Sequence, residues 1–329
     1  MNTDGPLVSV ATPVYNGEEY LRECIESVLA QTHHHWEYTI VNNRSTDGSL
    51  EIAEHYAKKD SRIKVITNES FVGAVENYNN CFRQISPLSK YCKVVSADDW
   101  LLPNCVEEMV RLGETHPTVA IIGCYQKSED RVRWKGLPVE IEIISGKEVC
   151  RASLLHNLDV FGSSTSVMHR SDLVRQHQPF YPHTLAHADT SSCFEYLKSH
   201  EFGFVHRILC VERVHSEQTS ARASRIGAGS IARLEILLKY GPLYLSTQEF
   251  EVRKGEVFSN YYRWLGGNVL KMRGAEFWKY HKAMLGELGY PIQWQKVIGA
   301  ALCEIMAELR SPISAFRKLI EAVAEKNAV

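Results

Sequence analysis

Four apolar runs in the first hundred residues each end in a polar cluster, and stretches of helical period separate them. This alternation constrains the fold more than any other feature of the chain. Leu7-Val8-Ser9-Val10-Ala11 reads as a strand that stops at Thr12-Pro13, because proline cannot donate to a sheet ladder. Leu21, Cys24, Ile25, Val28 and Leu29 then recur at helical spacing. Tyr38 to Val41 is the next strand, and Leu50, Ile52, Ala53, Tyr56 and Ala57 mark the next helix. A strand over Ile63 to Ile66, a helix over Val75 to Phe82 and a strand over 91–96 complete the series. Such spacing implies right-handed βαβ units and a mainly parallel sheet flanked by helices. Ligands of these sheets bind beyond the carboxyl ends of the strands. Pro13 to Asn16, Asn42 to Asp47, Asn68 to Asn77 and Asp98-Asp99 all fall there, which predicts one site built from four loops. No Gly-x-Gly-x-x-Gly turn follows the first strand, which counts against a dinucleotide oxidoreductase, and no Walker loop is present.

The fourth cluster carries the sharpest chemistry. Val94-Val95 leads into two adjacent acids, Asp98 and Asp99, and Trp100-Leu101-Leu102-Pro103 then reads as the turn into a helix. Neighbouring carboxylates repel, and a divalent cation relieves that repulsion. Mg²⁺ and Mn²⁺ are commonly held by one or two carboxylates together with substrate phosphates. The ordinary alternative is a solvated turn whose acids complement a helix start.

The bulk numbers describe an enzyme-sized chain of 329 residues with 44% apolar content. A net charge of −2 argues against nucleic acid as the main partner. The 9 cysteines lack CxxC spacing and fit reduced thiols in a cytoplasm. No basic segment followed by an apolar core opens the chain, and no apolar run approaches the ~20 residues of a membrane span. His33-His34-His35 precedes a strand, where consecutive side chains alternate faces, so surface positions are expected for them.

Read in order, Val8 to Asn16, Ser27 to Thr32, Ser45 to Ser49 and Ser96-Ala97-Asp98-Asp99 resemble the family 2 glycosyltransferases, inverting enzymes with the GT-A fold. The resemblance covers about residues 7 to 220. Together with the helical pattern that begins at about Ser230, it divides the chain into a sheet domain over 1–225 and a helical extension over 226–329. It also implies donor-binding loops at Thr12, Pro13, Tyr15 and Asn16, at Asn42, Asn43 and Asp47, and at Gly73 and Asn77. The family's corner aspartates are asparagines here, so the corner keeps hydrogen bonding without charge. Ser96, Ala97 and Asp98 match the metal-binding DXD segment, with Ser96 where the first aspartate often stands. Asp98 is the favoured ligand, Asp99 a support, and His215 in Arg213-Val214-His215 a third ligand, with Arg213 on the diphosphate.

The same resemblance implies that Asp189, in His187-Ala188-Asp189-Thr190, is the catalytic base; the ordinary role for such an aspartate is a helix N-cap. Glu195 is the weaker candidate. Gly162, Ser163 and Ser164 match a small-residue loop lining the donor sugar and acceptor. Glu217 to Gly229 fits a closing lid.

From about Ser230 the pattern is helical. Trp294, Val297, Ile298, Ala301, Leu302, Ile305, Met306 and Leu309 form one stripe, and Ile313, Phe316, Leu319, Ile320 and Val323 another. Packing helices or a homodimer interface is the ordinary reading; Tyr261-Tyr262-Arg263-Trp264 and Phe277-Trp278-Lys279-Tyr280 also fit peripheral contact with the inner face of a membrane. The expected function is metal-dependent transfer of a sugar, with Mn²⁺ or Mg²⁺. The donor is a nucleoside diphosphate, foremost a UDP-sugar, and the acceptor a glycan or lipid-linked hydroxyl in surface polysaccharide or glycoconjugate synthesis. The rivals are a nucleotidyltransferase and a non-catalytic nucleotide-sugar-binding subunit, the latter motivated by Ser96, Asn42, Asn43 and Ala188.

Overall fold

Burial of continuous apolar strands dictates the centre of the molecule. A computed structural model describes residues 5–182, 187–215, 218 and 223–310, with residues 308–310 described by their backbone alone. Residues 217 and 219–222 of the expected lid and the whole second C-terminal stripe lie outside the described residues. The chain divides into two compact units, Met1–His215 and Ser216–Val329.

The first unit holds a ten-stranded sheet. Strands β1 (Val8–Val14), β2 (Trp36–Asn42), β3 (Ile63–Thr67) and β4 (Tyr91–Val94) lie parallel in the order β3-β2-β1-β4. Helices α1 (Leu21–Leu29), α2 (Ser49–Lys59) and α3 (Ala74–Arg83) connect them. All of β1 is buried, and α1 presents Leu21, Cys24, Ile25 and Val28 to it as one stripe. Truncating such a side chain, for example Ile40→Ala in β2, costs roughly 2–5 kcal/mol through lost burial and the cavity left behind.

Beyond β4 the sheet turns mixed. β5 (Trp100–Leu101) is followed by α4 (Cys105–Thr115), β6 (Val119–Ser128), β7 (Arg131–Arg133), β8 (Ile143–Ser145) and α5 (Gly146–His156). Then come β9 (Val167–Arg170), α6 (Ser171–Gln176), α7 (Ala188–Tyr196) and β10 (Glu201–Glu212). β9 runs antiparallel to both β4 and β6, whereas β10 is parallel to β6.

Three local expectations need correction. β1 does not stop at Thr12-Pro13 but runs on to Val14, with Pro13 opposite Val41 of β2; the proline is tolerated there because β4 pairs with β1 only as far as Ala11. Trp100-Leu101 is not a helix start: it pairs antiparallel with Val211 and Cys210 of β10, and α4 begins only at Cys105, after Pro103. His33 is buried, its ring bonded to the Pro6 carbonyl oxygen at 2.9 Å, and His35 bonds that of Gly5 at 2.8 Å, so these rings tie down the start of the chain.

Lys93 of β4 is fully buried among apolar residues, yet its ammonium is not bare. It donates to the carbonyl oxygens of Thr165 and Val167, the latter at 3.0 Å, and so anchors the segment entering β9.

The second unit comprises α8 (Ala228–Tyr244), α9 (Thr247–Leu270), α10 (Ala275–Glu287) and α11 (Trp294–Arg310). Ser246 and Glu249 form a reciprocal capping box that starts α9. Ile231, Leu234, Tyr261, Tyr262, Leu265, Phe277, Leu285 and Val297 form its core. Much of the aromatic-basic segment is therefore interior. His281 is also buried, bonded to the Tyr261 hydroxyl at 2.6 Å and the Ile226 carbonyl oxygen at 2.8 Å. The α11 stripe is only partly interior: Val297 and Ala301 are buried, whereas Trp294, Ile298, Leu302, Ile305 and Met306 are exposed. Among the described residues no helix is long and apolar enough to cross a membrane.

Candidate functional site

The loops after β1 and β2 are laced together. Asn16, held at φ 49°, accepts from the Thr46 N–H at 2.8 Å, and its own N–H donates to Ser45 Oγ at 3.0 Å. Gly17 N–H donates to Ser49 Oγ at 2.8 Å, and Glu18 N–H to Asp47 at 3.0 Å. Burial acts to raise the Asp47 carboxyl, but donors on Ser49 and Glu18 outweigh it and hold it below its usual range. Thr12 lies beneath this surface, fully buried, its hydroxyl 2.8 Å from that of Tyr38. Pro13 is buried in β1, whereas Tyr15 is exposed and packs its ring 4.8 Å from that of Phe71, an aromatic partner that sequence reasoning missed.

The corner amides are turned into the protein. Asn42 accepts from Ser45 N–H at 3.0 Å and donates to Thr67 Oγ1 at 3.2 Å. Asn43 donates to the Val72 carbonyl oxygen at 2.8 Å, and its Oδ1 accepts from Asn68 at 2.9 Å and Val72 N–H at 3.0 Å. Asn68 also donates to Asn77 at 2.8 Å. This asparagine cluster fixes the β3–α3 loop, where a Cβ added at Gly73 would meet nothing within 4 Å.

The two acids differ. Asp98 is 29% exposed, and its Oδ2 lies 3.2 Å from Nε2 of His215, which is 18% exposed. Asp99 is 5% exposed; its Oδ2 accepts from the Thr165 hydroxyl at 2.6 Å and its Oδ1 from Arg213 N–H at 3.3 Å. Arg213 lays its guanidinium 4.9 Å from the ring centre of Tyr20 and 4.8 Å from that of Trp100, and is ion-paired with Glu23. Tyr20 in turn packs 4.6 Å from His215. Ala97 packs against the core, and Ser96 Oγ is 2.8 Å from the Tyr78 hydroxyl.

Among the described residues no group of three His, Cys, Asp or Glu side chains gathers to hold an ion. One carboxylate and one imidazole, adjacent and part-exposed, nevertheless fit Mn²⁺ or Mg²⁺ when phosphate oxygens complete the shell.

The small-residue loop stands beside Ser96 and Asp99. Gly162, at φ 66°, is required, since a Cβ there would lie 1.9 Å from Ser166 Oγ. Ser164 Oγ is 3.4 Å from Ser96 Oγ, and Ser163 donates to Gln126 at 3.1 Å. Thr165, which the sequence placed in this loop without a role, receives the Ser96 N–H at 3.1 Å and so joins both acids' segment to the loop.

Asp189 lies in the first turn of α7, where the cap position is His187 and no side chain caps the helix. Its Oδ1 accepts from Thr190 N–H at 2.7 Å. Burial raises its carboxyl above the usual range, against the opposing influence of His187 and Arg133. Tyr181, whose phenol is raised by burial and then by the charge of Asp189, sets its ring tilted 5.9 Å from that of Tyr78, which links the two ends of the site. Glu195 is instead paired with Lys198 at 2.9 Å.

The laced loops and the Asp98-Asp99 segment fall within a family match in sequence. The model of the glycosyl transferase family 2 matches residues 9–175, just over half of the chain. The chain belongs to glycosyltransferase family 2.

EpsH of Bacillus subtilis (strain 168), a putative glycosyltransferase, is 30% identical over 178 residues, 54% of this chain and 51% of EpsH. The match thus spans about half the length of that relative. TuaG of the same organism, a putative teichuronic acid biosynthesis glycosyltransferase, is 40% identical over 94 residues, 29% of this chain and 36% of TuaG. In structure the family member resembles S. aureus TarS 1-349 in complex with UDP, with a TM-score of 0.60, 17% identity and coverage of 85% and 79% of the two chains. It also resembles mannosyltransferase PcManGT from Pyrobaculum calidifontis in complex with GDP-Man and Mn²⁺, with a TM-score of 0.55, 15% identity and coverage of 99% and 88%. The fold is the GT-A fold expected from the sequence.

Proposed function

We propose that this family 2 protein transfers a sugar, with inversion, from a nucleoside-diphosphate donor to a hydroxyl of a glycan or lipid-linked acceptor in surface polysaccharide or glycoconjugate synthesis. A UDP-sugar is the donor the reading favours, supported by the likeness to TarS bound to UDP. The likeness in sequence to TuaG and EpsH supports the polysaccharide context. The observation that carries the proposal is the Asp98–His215 pair, which is 3.2 Å apart among the loops beyond the strands.

Asp98 and His215 would hold the divalent cation, and the ion, when bound, would neutralise charge on the diphosphate leaving group. Tyr15 and Phe71 offer aromatic faces at the base end, over a corner shaped by Asn42 and Asn43. Arg213, steadied between two rings, would lend its guanidinium to the diphosphate by exchanging its pairing with Glu23 for phosphate oxygens. Asp189 takes the proton from the acceptor hydroxyl as it attacks the anomeric carbon. Its raised carboxyl is suited to that work, since a base is most effective when its pKa lies near the working pH.

Family membership sets aside the nucleotidyltransferase reading. Thermal-shift titration with UDP, with and without Mn²⁺, tests the donor site: a ligand that binds the folded state raises its melting temperature by mass action. Stabilisation that requires Mn²⁺ and disappears in Asp98→Ala is expected; no response to any nucleoside diphosphate overturns the proposal. UDP release from a UDP-sugar separates an active enzyme from a binding subunit.

We further propose peripheral contact with the inner membrane face. The exposed Trp294, Ile298, Leu302 and Met306 of α11 support it.

A further inference from the structure

A cleft of about 720 Å³ lies between the β6–β7 hairpin, the chain following it, and the end of α5. Arg131, Arg133, Trp134, Lys135 and His156 line it, together with the carboxylates Glu129 and Asp159.

Trp134 is the residue around which this cleft is built. Its φ is 67°, a left-handed conformation that is unfavourable for a bulky side chain and persists only where the surroundings enforce it. The enforcing contact is visible. The indole Nε1–H donates to Oε1 of Gln126 at 3.0 Å, and Gln126 is fully buried. The same oxygen accepts from the hydroxyl of Ser163 at 3.1 Å. One buried amide therefore ties Trp134 to the loop whose next residue, Ser164, stands 3.4 Å from Ser96. The amide nitrogen of Gln126 has no hydrogen-bond partner among the described residues, which is costly unless the position serves something else. At the hairpin's other side Arg133 donates to Glu212 at 2.7 Å, the last residue of β10, from which the chain runs on to Arg213 and His215. Arg133 also acts electrostatically on Asp189. The cleft is thus tied by hydrogen bonds to the small-residue loop and to the end of β10.

Its chemistry is that of a ring platform set among cations. The Arg133 guanidinium lies 4.5 Å from the Trp134 ring centre. Arg131 and Arg133 alternate with Val132, so both arginines project from one side of β7, and Lys135 follows. Glu212 engages Arg133, while Arg131 and Lys135 are exposed at the rim. An indole packs against the C–H face of a sugar ring, and a guanidinium fork matches a carboxylate or phosphate.

We propose that this cleft is the acceptor subsite and that it takes a saccharide unit bearing an anionic group, a carboxylate or a phosphate, against Trp134. The inference rests on the reading of the protein as a sugar transferase.

Calorimetric titration of the full chain, preloaded with UDP and Mn²⁺, tests it. The probes are methyl glucuronide, glycerol 3-phosphate and the neutral methyl glucoside. An anionic probe is expected to bind at least about tenfold more tightly than methyl glucoside, within what one charge-assisted hydrogen bond contributes. Preference for the glucuronide assigns a carboxylate, and preference for glycerol 3-phosphate assigns a phosphate. The double variant Arg131→Ala/Lys135→Ala should erase the preference, and Trp134→Leu should weaken the glucuronide, with UDP binding as the control for an intact fold. Equal binding of charged and neutral probes, or no binding of any while UDP still binds, overturns the acceptor inference alone. Failure of the wild-type chain to bind UDP overturns the donor reading and this inference with it.

Discussion

The Thr165 hydroxyl donates to Oδ2 of Asp99 at 2.6 Å, and that bond separates two adjacent acids into two environments. Asp99 is held inside, where burial and then the charge of Asp98 push its carboxyl well above the usual range. Asp98 stays at the surface beside His215. Thr165→Val keeps the shape but leaves a buried carboxyl short of a donor, so urea unfolding should show a loss of roughly 1–3 kcal/mol. Asp98→Ala should leave stability nearly unchanged and remove Mn²⁺-dependent UDP binding. Equal effects of both changes on stability would refute the division.

Asn43→Ala strips partners from Asn68 and Val72 together. Leaving these buried groups unmatched should lower stability by about 1–3 kcal/mol. Steady-state kinetics should show donor KM raised more than kcat is lowered, because the change loosens a binding wall. A fall in kcat alone would place this corner at the reacting centre instead.

Asp189→Asn removes proton acceptance and keeps shape. Turnover should drop by roughly 10²–10⁴-fold while UDP affinity holds. Since His187, not Asp189, occupies the cap position, loss of capping cannot account for such a drop. The pH profile gives a second readout. The carboxyl is raised by burial, so kcat/KM should fall on acidification at a pH above the ordinary carboxylate range. Near-wild-type turnover in Asp189→Asn would remove the base assignment.

His281 supplies a stability test in the helical unit. Burial lowers its pKa from 6.5 to about 4, so the folded state favours the neutral ring. Its contribution is fully present above the unfolded value and is lost as pH falls from 6.5 toward 4. The loss reaches at most about 1.4 kcal/mol for each pH step of one within that window. Unfolding free energies measured at pH 7 and pH 5 should differ in the wild type, and the difference should shrink in His281→Gln, with buried His169 supplying what remains. An unchanged difference would assign the acid sensitivity elsewhere.

Vesicle flotation addresses α11. Wild-type protein should float with anionic lipid vesicles, and Ile298→Glu/Leu302→Glu should not, since both side chains are exposed and the substitution leaves the core intact. Recovery of the wild type entirely in the lipid-free fraction would end the membrane proposal.

The parallel half of the sheet is legible in the sequence because each strand is a mainly apolar run followed by a polar cluster. The mixed half is not: β5 has 2 residues and β7 and β8 have 3 each, too few for any periodicity, and their pairing is set by distant partners. Asp98, Asp189 and His215 stand out through the family resemblance. Thr165 and Gln126 do not, since a buried hydroxyl or amide acquires its role from whatever faces it. Lys93 does leave a trace, as a polar residue inside an apolar run. The inward turn of Asn42 and Asn43 could not be read locally, because it depends on Thr67, Asn68 and Val72 from the next strand and loop.

The lacing of Asn16, Gly17 and Glu18 to Ser45, Thr46, Asp47 and Ser49 bears on association kinetics. Segments already fixed by folding lose little further conformational freedom when a ligand arrives, so less binding energy goes into ordering them. A nucleotide meeting this wall would encounter a surface close to its bound form. Its association rate would then be governed by diffusion and charge steering, and differences in affinity among nucleotides would appear mainly as differences in residence time.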